Sequence, residues 1–297
     1  MALNRLMLHE IKVLVKSSFL YFWIMIQAPL RKFWILFLWI GILSECRVEA
    51  MVQRDTTIRI NNTLVDLKFP LGEIKGTILM LPGWNFSRSK TCEHSSFCSE
   101  ALKQGFVLIC PEMGKSLYAS SIYPETRKDW ALFPQLKFIT DTLQPYVRLN
   151  YNLLKEGQSN FIYGISTGAR GGALIVENTG KLYGGAALLS GDYNQCQDTS
   201  DNLMKGFYGS YTRYKSRWEG PDNPSLNVSK IKCPVYLGHG KNDKVVPFQQ
   251  TLNLFEKLKK EGSFVTFSQK EGMGHDFNFW AGETGDVLLF FKKNMQH

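Results

Sequence analysis

Ser166 stands in the run Phe161-Ile162-Tyr163-Gly164-Ile165-Ser166-Thr167-Gly168-Ala169, where β-forming residues give way within one position to small residues that suit a helix. A strand that becomes a helix that abruptly forces a strained backbone at the turn, and glycines two residues either side relieve the crowding. This is the nucleophile elbow, Gly-x-Ser-x-Gly in strand-turn-helix context. A serine hydroxyl attacks a carbonyl only when a base takes its proton, so the reading depends on a histidine. The chain has five. His9 lies in the leader, His297 ends the chain, His94 falls between Cys92 and Cys98, and His239 precedes an aspartate on its own strand end and reads as ordering that turn. His275 remains, in the glycine-rich stretch Glu271-Gly272-Met273-Gly274-His275-Asp276-Phe277. The chain order for this arrangement is serine, acid, histidine. Asp243, in Gly238-His239-Gly240-Lys241-Asn242-Asp243-Lys244-Val245-Val246-Pro247, fits the acid, and Asp192 competes with it. Three such residues in this order would suit acyl transfer, with Ser166 as candidate nucleophile, His275 as candidate base and Asp243 as the candidate group that orients the imidazole.

Such a set works only on a rigid frame, and the remaining pattern supplies one. Residues 57–60 and 64–69 alternate apolar and polar around Asn61-Asn62 and predict an antiparallel hairpin at a sheet edge. Continuous apolar runs at 76–81, 106–110, 160–165, 184–190 and 234–238, then 264–267, predict strands, most of them buried on both faces. Between them, helical spacing is predicted within 88–104 and over 129–149, 167–178, 248–260 and 283–293. Strands alternating with helices give an α/β fold with a mostly parallel sheet, helices on both faces, and the site at the carboxyl ends of the strands. Residues 191–233 break the rhythm with Tyr193, Phe207, Tyr208, Tyr211, Tyr214 and Trp218, and read as a small insertion that caps the site.

With these motifs in place, residues 55–295 resemble the α/β-hydrolase family. Gly-x-x-Asp-x-x-Val-Pro at 240–247 and Gly-His-Asp-Phe at 274–277 look most like its dienelactone hydrolase and prolyl oligopeptidase branch. Leu81-Pro82-Gly83-Trp84 matches the place where the family writes His-Gly-x, with Pro82 replacing the usual histidine. The resemblance implies that the backbone N–H groups of Trp84 and Thr167 form an oxyanion hole. It also implies hydrolysis with no cofactor and no metal. Aromatic content puts Trp84, Tyr118 and Tyr193 forward as pocket residues. The expected substrate is a small carboxyl ester, because the insertion leaves little room for a large gating element. A serine peptidase of the prolyl oligopeptidase type is the alternative, and a membrane-tethered binding protein that kept the fold without the chemistry is a third reading. Arg170, Lys205, Arg213, Lys215 and Arg217 could meet a substrate carboxylate, although surface solvation is the commoner role of such charges.

The formal net charge of the 297 residues is +9, part of it from Arg5, Lys12, Lys16, Arg31, Lys32 and Arg47 in the first fifty residues. Basic residues elsewhere are scattered among acids, which excludes a nucleic-acid surface. Arg31-Lys32, the apolar run 33–43 and Val48-Glu49-Ala50 have the layout of a signal peptide cut before Met51, which predicts an exported protein made of a 1–50 leader and a 51–297 hydrolase domain. An earlier apolar run at 19–26 admits two variants: translation from Met25, or an uncleaved membrane anchor through residues 19–43. Glu45 disfavours lipid attachment at Cys46. Cys92 and Cys98 can close a small disulfide, and with His94 they match no standard zinc spacing.

Overall fold

The computed structural model describes residues 54–130 and 133–296, and residues 53–297 form one compact unit. The expected leader, whether signal peptide or anchor, lies outside the described residues. Among the described residues, no helix is long and apolar enough to cross a membrane.

Five strands are buried at every position: β3 (Gly76–Leu81), β4 (Phe106–Pro111), β5 (Asn160–Ile165), β6 (Gly185–Leu189) and β7 (Val235–Gly240). Their continuous apolar runs follow from this, since a strand covered on both faces has no solvent side to alternate with. They pair in parallel in the order β4-β3-β5-β6-β7, and β8 (Val265–Lys270) closes one edge, also in parallel. At the other edge, β1 (Thr56–Ile60) and β2 (Thr63–Lys68) join antiparallel through a turn in which Asn61 has φ 52°. Asparagine tolerates that left-handed conformation better than most residues. The sheet thus has eight strands.

Alternate strand residues feed two cores. Leu79, Leu81, Val107, Ile109, Ile162 and Leu188 face one side with the helices α3 (Gln144–Tyr151), α4 (Thr167–Asn178) and α7 (Gln249–Lys260). Ile78, Met80, Leu108, Phe161, Tyr163 and Leu189 face the other. There the cover is α2 (Phe97–Lys103), α8 (Phe277–Gly282) and α9 (Thr284–Lys293), with the short α1 (Lys90–His94) leading into α2. The cysteine loop closes as expected, with a Cys92–Cys98 disulfide linking α1 to α2. Neither sulfur is therefore a free thiolate for a metal.

The helix expected over 129–149 begins later. Helical residues start at Gln135–Lys137, pass through a π-helical stretch, Phe138–Leu143, and continue as α3. Tertiary packing explains the delay. Leu117, Ala119 and Trp130 are buried against Met204, Phe207, Tyr208 and Trp218, so the preceding chain is drawn into a third apolar cluster with the 191–233 insertion. The insertion contributes α5 (Asn202–Tyr208) and α6 (Lys215–Trp218) to it and also carries three short 3₁₀ turns. It is bolted to the body by Arg170 of α4. This fully buried guanidinium donates to Asp192 O at 3.2 Å, Gln195 Oε1 at 2.9 Å and Tyr208 Oη at 3.3 Å, and also to Asp222 O.

Glu177, near the end of α4, is buried and neither carboxylate oxygen has a hydrogen-bond partner. Burial pushes its carboxyl up to about 9, against smaller opposing pulls from Lys230 and Arg170. The folded state therefore holds a proton that the unfolded chain releases above the ordinary carboxylate value, and stability declines as pH rises from there towards 9. Glu177→Gln removes that titration. The variant is expected to melt about 3 °C or more above wild type at pH 8 and close to it at pH 4, by calorimetry at both values. An equal shift at the two pH values would contradict the assignment.

Candidate active site

Ser166 occupies the single residue between β5 and α4, with φ 55° and ψ −124°, a conformation costly for any side chain with a Cβ. Its neighbours are fixed by clearance. A Cβ on Gly168 would lie 2.1 Å from Leu81 O, so only glycine lets α4 leave the turn so close to the end of β3. The serine N–H is tied to Leu189 O at 2.8 Å, which anchors the turn to β6. Strain and anchoring together leave the hydroxyl at the carboxyl end of the sheet.

Two loops bring partners to it. After β8 the chain turns through Gly272 and Gly274, and Asp276 caps α8 by accepting from Asn278 N at 2.9 Å, which fixes His275 one residue before the cap. After β7 the chain carries Asp243. The loops meet where Asn242 N donates to Met273 O at 2.9 Å, and a Cβ on Gly240 would stand 2.4 Å from that same oxygen. The result is a continuous polar chain: Ser166 Oγ to His275 Nε2 at 2.9 Å and His275 Nδ1 to Asp243 Oδ2 at 2.6 Å. The edge of Trp280 meets the His275 ring at 5.1 Å between centroids, and its indole N–H donates to Ser190 Oγ at 3.1 Å, holding the ring's apolar side in place.

Asp243 Oδ1 accepts from the backbone N–H groups of Val245 and Val246, each at 2.8 Å. Burial alone would raise its carboxyl, but hydrogen bonds from His239 and then His275 outweigh it and hold the group well below the ordinary carboxylate range. Asp192 does not reach the histidine. Its Oδ1 accepts from Asn194 N at 3.2 Å, and burial raises its carboxyl.

The Pro82-Gly83-Trp84 turn passes over the serine so closely that a Cβ on Gly83 would stand 3.2 Å from Ser166 Cβ. The N–H groups of Trp84 and Thr167 donate to no backbone or side-chain acceptor among the described residues. Two N–H groups left open beside a serine hydroxyl are placed where a developing oxyanion would find donors. The three expected pocket residues separate here. Trp84 is partly exposed and meets Trp130 edge-on at 4.7 Å, with the Arg127 guanidinium 4.8 Å from the Trp130 ring centre. Tyr118 and Tyr193 are fully buried and offer a ligand no surface. Tyr118 instead donates its hydroxyl to Pro82 O at 2.8 Å, bracing the turn from beneath. Trp130, against which Trp84 packs, is itself buried in the third apolar cluster.

The expected basic cluster is also redistributed. Arg170 is the buried bolt described above, Arg217 pairs with Glu125, and Lys215 lies 3.6 Å from Glu219. These three are committed to contacts within the protein.

The strand order, the elbow and its helix are those of the α/β-hydrolase fold, and the chain has that fold. Residues 150–297 match the prolyl oligopeptidase family. Among solved structures, the chain is similar to an S-formylglutathione hydrolase from Agrobacterium tumefaciens, with 15% identity, TM-score 0.65, and coverage of 81% of this chain and 94% of that one. It is also similar to the fluorophosphonate-binding serine hydrolase F of Staphylococcus aureus, with 16% identity, TM-score 0.64, and coverage of 80% and 99%. A third similarity is to the acylaminoacyl peptidase of Pyrococcus horikoshii, with 14% identity and TM-score 0.62, covering 86% of this chain and 43% of that enzyme. No curated protein matches the chain by sequence.

Proposed function

We propose that the protein is a serine hydrolase that cleaves a small carboxyl ester through an acyl-enzyme intermediate. The observation that carries this reading is the unbroken run from Ser166 Oγ through His275 to the ionised Asp243. His275 Nε2 takes the hydroxyl proton as Ser166 Oγ attacks the ester carbonyl, and Nδ1–H stays bonded to Asp243, which holds the tautomer and offsets the charge gained by the ring. The carbonyl oxygen, now negative, is received by the N–H groups of Trp84 and Thr167. His275 then returns the proton to the departing alkoxide, and water repeats the sequence to release the acid. No step calls on a metal or an organic cofactor.

Esters are preferred because the cap is short and its aromatic residues fill a core of their own. Trp84, partly exposed on the turn that passes over Ser166, offers an apolar surface that suits a small acyl or alkyl group. A peptidase is the second reading, favoured by the match of residues 150–297 to the prolyl oligopeptidase family. A panel of p-nitrophenyl esters of increasing acyl length beside aminoacyl and dipeptidyl anilides, compared by kcat/KM, separates the two. An ester is expected to lead, with all turnover lost in Ser166→Ala. An anilide that outruns every ester despite its harder bond would make the peptidase reading the one to keep.

Export belongs to the same proposal, supported by the Cys92–Cys98 disulfide, since such bonds persist in oxidising compartments. N-terminal sequencing of protein from its native host is expected to begin near Met51. A chain that starts further upstream and sediments with membranes would replace export by anchoring through residues 19–43.

A further inference from the structure

His239 lies one residue before the end of β7 and is wholly buried. Its Nε2 is 3.0 Å from Val246 O and 3.1 Å from Asp243 Oδ2, and its Nδ1 is 2.6 Å from Thr251 Oγ1 on α7. Both partners of Nε2 are acceptors only, so that nitrogen carries a proton. Thr251 can donate or accept and satisfies Nδ1 in either state. Phe248 closes the space with its edge to the imidazole, at 5.8 Å between centroids. A ring packed and bonded on every side has one orientation available.

The contact with Asp243 falls on a particular atom. Oδ1 is already occupied by the backbone N–H groups of Val245 and Val246. Oδ2 is the atom that faces His275, and His239 Nε2 lies 3.1 Å from it as well. We propose that His239 is a positioning residue of the active site: its Nε2–H bonds to the same carboxylate oxygen of Asp243 that holds His275, and fixes where that oxygen points. The inference rests on the hydrolase reading of Ser166, His275 and Asp243. A carboxylate held only on Oδ1 can rock about its Cβ–Cγ bond, and His275 would follow it away from Ser166. The second imidazole removes that freedom. It also supplies a buried charge with a donor that does not leave when His275 moves during turnover.

Two variants and one spectrum test this. His239→Leu fills the space without a donor and is expected to lower kcat for a p-nitrophenyl ester about 10²-fold with little change in KM, the size of loss that small misplacements of catalytic groups produce. His239→Gln places an amide NH₂ where Nε2 stood, with one hydrogen for Val246 O and one for Asp243 Oδ2, and is expected to recover most of that loss. A folded His239→Leu with wild-type kcat, in a protein that Ser166→Ala silences, would overturn the positioning role and leave the hydrolase reading standing. The imidazole ¹⁵N spectrum of the wild-type protein decides the contact independently of turnover. A protonated Nε2 whose resonance moves in Asp243→Asn is expected. A proton on Nδ1 with a bare Nε2 would overturn the proposal even in a protein that shows no hydrolysis, and even if the leucine variant does not fold.

Discussion

The structure depends first on the close passage of α4 beneath the end of β3. Gly168 sits against Leu81 O at a distance no Cβ could share, and this contact compresses the β5-to-α4 connection into one strained residue. Ser166 cannot relax without moving the helix, and the helix is fixed. Its inner face is packed in the larger core, and Arg170, one turn along, is bonded to four groups of the insertion. Backbone strain at the nucleophile is thus balanced by burial and by a polar lock, as strained functional sites require.

Around this point the parallel sheet acts as a jig. Because β3, β5, β6 and β7 run the same way, their carboxyl ends deliver the Pro82-Gly83-Trp84 turn, Ser166, Ser190 and the Asp243 loop to one edge. The Asp243 loop and the His275 loop are joined to each other by Asn242 N and Met273 O, so the two side chains are held in one frame. Burial of Asp243 would favour its neutral form, which could not stabilise an imidazolium. Two backbone N–H groups and two imidazoles overcome that cost and keep the carboxylate charged. The site is therefore prepared electrostatically before any ligand arrives.

Much of this frame was legible in the amino-acid order. Buried parallel strands announce themselves as unbroken apolar runs, the edge hairpin as alternation around Asn61-Asn62, and the elbow as two glycines flanking a serine between a β run and a helical one. What could not be read were directions. Tyr118 and Tyr193 were marked for a pocket by aromatic character alone, and composition does not say whether a ring faces the cleft or the core. The packing of Leu117, Ala119 and Trp130 was hidden because it answers to the insertion and follows no local period. His239 could be assigned to the turn after β7 from its position, but its second contact is with a side-chain oxygen, and spacing does not specify which oxygen a ring will meet.

The central claim is that Ser166, and no other residue, forms a covalent bond to an electrophile placed at this site. Intact-protein mass spectrometry after treatment with an alkyl fluorophosphonate, followed by peptide mapping, tests it most directly. One adduct per chain is expected, located on Ser166, absent in Ser166→Ala and slowed in His275→Ala. A folded protein that stays unmodified, or that carries the adduct on another residue, would contradict it.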